Sequence, residues 1–112
     1  MSLADSKRSS QGRATFETRR FAGGGKHSEG FRLNGKRSGT WTFWYMSGGK
    51  CSEGGYLDDL FHGDFTLFHE SGQIKEQGSY HLGKAQGLFR KWDELGHLLK
   101  ETMFENGEKV WP

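Results

Sequence analysis

A 24-residue interval recurs along this chain and limits what it can fold into. Shifted by 24, Gly39 falls on Gly63 and Gly87, Trp41 on Phe65 and Phe89, and Trp44 on Phe68 and Trp92. The same shift carries Gly48 to Gly72 and Gly96, Gly54 to Gly78, and Tyr56 to Tyr80 and Phe104. A chain written in such copies buries its apolar groups against the next copy along, not in one irregular interior. Four units are expected, starting near Ala14, Gly39, Gly63 and Gly87. The first is worn. It aligns if Gly23 to Gly25 holds one extra residue, which puts Phe16 on Trp41, Lys26 on Lys50 and Glu29 on Glu53.

Inside a unit, the pairs Gly48-Gly49, Gly72-Gln73 and Gly96-His97 each separate two short runs of mixed apolar and polar residues. That pattern predicts a tight hairpin turn of type I′ or II′ and hence two antiparallel strands per unit. A two-residue loop sets Trp41 opposite Tyr56, Phe65 opposite Tyr80 and Phe89 opposite Phe104. It also sets Phe43 over Gly54, Leu67 over Gly78, Glu70 against Lys75 and Asp93 against Lys100, all pairings that cross-strand energetics favour.

Side chains alternate across a strand, so the register defines two faces. Face one carries Phe16, Trp41, Phe65 and Phe89 with Tyr56, Tyr80 and Phe104, and is expected to be core. Face two carries Trp44, Phe68 and Trp92 opposite Glu53, Gln77 and Glu101. It is either the other half of a two-sided core or an exposed strip for a partner. Eight strands at about 4.8 Å each predict a meander roughly 35 to 40 Å long. The connections between units, rich in Gly, Asp, Asn and Lys, are expected as exposed turns, and a short helix or cap is possible around Asn106 to Pro112. Residues 1–12, polar and Ser-rich, read as a disordered or loosely attached arm before a repeat domain over residues 13–112.

Composition supports a thin, ring-rich core. Leu, Ile, Val and Phe together number 21, whereas the rings number nine Phe, four Trp and three Tyr. Eighteen glycines and a single proline accompany them. The lone Cys51 has no internal disulfide partner, and no N-terminal apolar run has signal or membrane-spanning length, so a reducing cytoplasmic setting is expected. The formal charge of +2 is uneven, with nine Lys/Arg against three Asp/Glu in residues 1–40 and seven against eleven thereafter.

No arrangement carries catalysis. Gly23-Gly24-Gly25-Lys26 fails the phosphate-loop spacing, since Arg20 stands where Gly is needed and His27 where Ser or Thr is needed. The five histidines lack metal-ligand spacing, Cys51 reads as a small strand hydrophobe, and Gly-x-Ser-x-Gly is absent. Glu53 and Glu101 are two units apart, roughly 20 Å, too far for a general acid/base pair. Neither a metal nor a cofactor is expected.

The recurring Gly-x-aromatic-x-x-aromatic, a Gly turn, Glu near Gly-x-aromatic and a Gly-Lys connection run through GTWTFWYMSGGKCSEGGY, GDFTLFHESGQIKEQGSY and GLFRKWDELGHLLKETMFENGEK. This pattern resembles the MORN repeat over residues 14–109, and is most similar to the MORN-variant repeat of bacterial proteins described as antitoxin components. Unit one departs from it, with Arg19 in the place of Trp44 and Ala14 in that of Gly39. The resemblance implies an all-β single layer of hairpins, and a scaffold, lipid-headgroup binder or partner-binding module in place of an enzyme. The leading expectation is a non-enzymatic protein-interaction module. Its protein partner, a toxin by the family resemblance, would lie along Trp44, Phe68 and Trp92, with Glu53, Gln77 and Glu101 as polar rim. The alternative is a membrane-surface adaptor that meets anionic phospholipid through Lys7, Arg8, Arg13, Arg19, Arg20 and Lys26. No specific nucleic-acid partner is expected. Exposed end strands near Phe16 and Phe104 make an edge-to-edge homodimer a further expectation.

Overall fold

The structure, a computed structural model, describes residues 13–112; the expected arm over residues 1–12, with Lys7 and Arg8, lies outside the described residues. The described chain is a single antiparallel sheet. Its strands are β1 (Ala14–Arg20), β2 (Lys26–Leu33), β3 (Lys36–Trp44), β4 (Lys50–Leu57), β5 (Leu60–Phe68), β6 (Ile74–His81), β7 (Lys84–Ala85), β8 (Gly87–Trp92), β9 (Leu98–Glu105) and β10 (Glu108–Trp111). Each strand pairs with its neighbours in sequence, in the order β1-β2-β3-β4-β5-β6-β8-β9-β10, with the short β7 also on β6. The sheet is open and measures 56 × 40 × 17 Å. Residues 108–111, where a helix or cap was possible, add a final strand to this meander.

The two kinds of turn are exchanged relative to expectation. Two-residue turns with positive φ at both centres join the units: Asn34-Gly35 (54° and 82°), Asp58-Asp59 (50° and 67°), Leu82-Gly83 (46° and 86°) and Asn106-Gly107 (50° and 84°). That double left-handed pair is the type I′ signature, which matches strand twist and favours Asn, Asp and Gly. Inside a unit the loop is longer. Gly48 N–H donates to Tyr45 O at 2.9 Å and Tyr45 N–H to Gly49 O at 2.8 Å, with Gly48 at φ 105°. Phe21, His69 and Asp93 close their loops in the same way.

These longer loops displace the register by two residues. Trp41 pairs with Gly54 and not Tyr56, Phe65 with Gly78 and not Tyr80, and Phe89 with Thr102 and not Phe104. Tyr56, Tyr80 and Phe104 instead oppose Gly39, Gly63 and Gly87. Phe43 pairs with Ser52, Leu67 with Glu76, and Lys100 with Lys91, while Glu70 and Asp93 fall outside the paired strands. An even slip leaves the paired side chains of each hairpin on their expected sides, and bulges at Phe43/Trp44, Leu67/Phe68 and Lys91/Trp92 shift the last rung by a third residue, to Lys50, Ile74 and Leu98.

Loop closures at Phe21, Tyr45, His69 and Asp93 show that the 24-residue spacing holds in unit one without an inserted residue. Glu17, opposite Gly30, therefore takes the rung of Trp41. Phe16 moves to face two, stacking edge-on with Phe31 at a centroid distance of 5.0 Å. By the same count Thr15, not Ala14, stands at the rung of Gly39, and Arg20, not Arg19, at that of Trp44. The Glu17 carboxylate accepts from Arg32 Nε at 2.8 Å and pairs with Arg19 Nε at 2.9 Å.

The core is ring against backbone. Trp41 is 1% exposed, and Tyr56 and Phe89 are also buried. Trp41 lies over Gly30, Phe65 over Gly54 and Phe89 over Gly78, each glycine in the preceding hairpin, and a Cβ at any of the three would enter the ring. Trp41 Nε1 also donates to Phe31 O at 2.8 Å, so its one polar atom is satisfied.

Two predictions follow from this packing. Gly78→Ala should cost about 2–3 kcal/mol in urea unfolding, the ordinary penalty of overpacking. Gly25→Ala, whose Cβ would meet nothing within 4 Å, should change stability by less than about 0.5 kcal/mol. For Glu17, the Arg32 hydrogen bond is the main cause that holds the carboxyl below its ordinary value of 4.5. A lowered folded value stabilises the fold above the unfolded value and ceases to do so as pH falls through the folded one. Wild type should thus unfold at higher urea than Glu17→Gln at neutral pH, and the gap should close in acid.

Candidate partner-binding site

Face one is not sealed. Behind the row Trp41, Phe65, Phe89 runs a second row in which Tyr56, Phe61, Tyr80 and Phe104 make ring-to-ring contacts. Centroids lie 5.2 Å apart for Tyr56–Phe61, 5.0 Å for Phe61–Tyr80, 4.7 Å for Phe61–Phe65 and 5.0 Å for Phe89–Phe104. Only one layer of sheet supports these rings, so Phe61, Phe65, Tyr80 and Phe104 remain half-buried while Tyr56 and Phe89 are covered by their neighbours. Between the rows lies an apolar trough of about 460 Å³, walled by Phe43, Phe61, Phe65, Leu67, Tyr80 and Phe89. Face one is therefore core at its floor and open wall above it, where the sequence predicted core throughout.

The trough ends differ. At the β3 end the Arg37 guanidinium lies over Trp41 (5.0 Å), Phe43 (5.2 Å) and Tyr56 (5.4 Å). At the other end a contiguous basin of about 220 Å³ is lined by Glu76, Tyr80, Phe89, Lys91, Lys100 and Lys109. Burial raises the Tyr56 hydroxyl pKa, with Arg37 acting against it, and burial, then Glu76, raises that of Tyr80. Both phenols thus stay neutral on this apolar wall.

The residues expected to bind a partner do share face two, in two parallel rows. Trp44, Phe68 and Trp92 are half-buried and oppose Lys50, Ile74 and Leu98. Glu53, Gln77 and Glu101 form the adjacent row and are already engaged across the strand pair. Thr42 Oγ1 donates to Glu53 at 3.0 Å, Gln77 Nε2 to Thr66 at 3.4 Å, and Arg90 Nε to Glu101 at 2.7 Å. Lys26 Nζ sits 5.3 Å from the centre of the Trp44 ring. Edge by edge, this face is a bonded ladder with aromatic side chains beside it.

Of the cations expected to meet lipid, Arg20 and Lys26 oppose each other across β1 and β2, and the charged groups of three are already engaged. Arg19 is held by Glu17, Arg20 Nη1 donates to Gly24 O at 3.0 Å, and Lys26 pairs with Glu29 at 3.1 Å. Arg13 donates its backbone N–H to Asn34 Oδ1 at 3.3 Å. Among the described residues no group of three or more His, Cys, Asp or Glu could hold a metal ion.

Sequence reasoning missed the basin at the fourth unit, although the 24-residue shift carries its signal. Leu67 becomes Lys91, Glu76 becomes Lys100, and Ala85 becomes Lys109. Two apolar wall positions and one acid turn basic in the last unit, and unit one carries Arg19 and Arg37 at the places of Lys91 and Lys109.

A search of curated proteins finds no match to the chain. The family profile of the MORN repeat variant matches residues 61–81, the hairpin formed by β5, its loop and β6. The match supports a MORN-type repeat at that hairpin, and the same loop closure and ring-on-glycine packing recur at 24-residue intervals on either side of it.

Proposed function

We propose that this chain is a non-enzymatic interaction module that holds a protein partner in the aromatic trough of face one. One observation carries the reading: a row of ring walls about 460 Å³ in extent that nothing in the described chain covers. Contiguous apolar surface left open on a soluble fold marks a place for another molecule, and aromatic side chains are the usual anchors there. MORN repeats are commonly protein- or membrane-interaction modules, which agrees with a binding role. An open single-layer trough also lacks the enclosure that small-substrate chemistry requires. A toxin is the specific partner suggested by the resemblance to antitoxin components, and it is proposed on that ground alone.

The line of Trp44, Phe68 and Trp92 on face two is the competing docking surface. It ranks second because Glu53, Gln77 and Glu101 beside it already have partners within the sheet. Binding there would exchange those bonds for new ones at little net gain.

Affinity capture from extracts of the native cell separates the two surfaces. Phe61→Ala with Leu67→Ala should lose a specific partner that wild type retains, with circular dichroism confirming that the sheet is intact. Trp44→Ala with Trp92→Ala should retain it. The reverse pattern would move the interface to face two, and equal recovery by both variants would remove both faces from consideration.

A further inference from the structure

We infer that the trough accepts an extended, acidic-and-apolar segment of its partner, oriented with its acidic end on Lys91, Lys100 and Lys109. This rests on the trough being the partner site and adds the chemistry and direction of what lies in it.

Charge at the two ends supplies the direction. At the other end Arg19 and Arg32 are held by Glu17, and the Arg37 guanidinium lies against the Trp41, Phe43 and Tyr56 rings, so a single ring-engaged cation stands there against three lysines at the fourth unit. At the fourth unit Lys91 and Lys100 stand directly opposite each other on β8 and β9, with Lys109 on the adjoining β10. Like charges facing across a strand pair destabilise a sheet. Among the described residues none of these three lysines forms an ion pair, and Glu76 is the single carboxylate lining their basin. All three side chains are exposed at positions that Leu67, Glu76 and Ala85 occupy one unit earlier. Glu76 faces Lys91 across β6 and β8, which leaves three cations against one carboxylate; this net positive mouth of an apolar trough is complementary to a carboxylate that leads an apolar run, and would steer its approach.

Openness decides for a protein segment over a small amphiphile. Small-molecule sites bury about 70–90% of their ligand, which a one-walled trough does not, whereas a partner protein brings its own cover. From Phe43 on β3 to Lys100 on β9 the trough crosses six strands, roughly 24 Å at about 4.8 Å per spacing. An extended chain at about 3.4 Å per residue covers that span with roughly seven residues.

Panning a random peptide library against the full chain tests the inference, with enriched peptides then titrated by fluorescence anisotropy. Peptides that combine Asp or Glu with apolar residues should be enriched and should weaken as salt rises. Lys91→Glu with Lys100→Glu, both exposed positions, should weaken them about tenfold or more and should select Lys- or Arg-bearing peptides instead. Phe61→Ala should weaken binding whatever the peptide charge. Lys100→Gln should raise the Tm of the free protein, since it removes one of two facing like charges and leaves Lys91 opposite Glu76. Enriched peptides without acids, or acidic ones bound equally by the charge-reversed variant, would overturn the inference and leave the trough as the site. Peptides indifferent to Phe61→Ala but lost in Trp44→Ala with Trp92→Ala would overturn both. No enrichment, with or without lysine-dependent co-sedimentation on phosphatidylserine vesicles, would also overturn it; co-sedimentation would assign the triad to a membrane surface.

Discussion

The close approach of an aromatic ring to the backbone of the hairpin before it is the contact on which this fold depends. A single-layer sheet has no second layer to bury its apolar groups. Trp41, Phe65 and Phe89 must therefore lie down on the sheet itself, and they do so over Gly30, Gly54 and Gly78, where no Cβ stands in the way. At about 25 cal/mol per Å² over some 150–250 Å², burying one such ring is worth roughly 4–6 kcal/mol. The Thr42–Glu53 and Arg90–Glu101 contacts on the opposite face are surface interactions of about 0.2–1 kcal/mol each. Ring burial therefore sets the stability and the repeat length, and the polar ladder trims register and solubility.

Coupling each ring to the preceding hairpin makes the array nearly one-dimensional. Every unit rests on its neighbours and on nothing further away, so stability is a sum of unit and interface terms. The ends are the weak members. Phe16 and Phe31 are about half-exposed at one end, as are Val110 and Trp111 at the other. In unit one the ring at the key rung is replaced by Glu17, and an Arg–Glu–Arg cluster substitutes for apolar burial. Opening is expected to begin at such ends, where few apolar contacts must be broken.

The same architecture leaves its two faces unequal. On face two, short polar side chains reach one another across each strand pair and close a ladder, so little bonding capacity is left over. On face one, rings cover the glycine floor, Arg37 caps them at the Trp41 end, and Phe61, Phe65 and Tyr80 stay half-buried beyond it. That difference leaves an open apolar trough on one side of the sheet. Replacement of wall residues by Lys91, Lys100 and Lys109 in the last unit then gives the trough a polarity that a uniform repeat would lack.

The 24-residue spacing by itself determined that the chain is a row of β-hairpins, and strict alternation determined which residues share a side, because both follow from local periodicity. Even the misjudged loop length left Trp41, Phe65 and Phe89 on one face, since the slip there was even, whereas bulges before Trp44, Phe68 and Trp92 gave those three partners that the count had not predicted. Loop type was not legible: Gly48-Gly49 and Asn34-Gly35 both satisfy a turn, and which one takes the two-residue form depends on where the strands lock. The place of Phe16 was lost for a similar reason, because three consecutive glycines accommodate either alignment and only the Glu17–Gly30 pairing chooses between them. Tertiary structure alone decided that face one stays open and face two bonds to itself. Exposure depends on whether another layer arrives to cover the rings, and a local repeat carries no information about a layer that is not there.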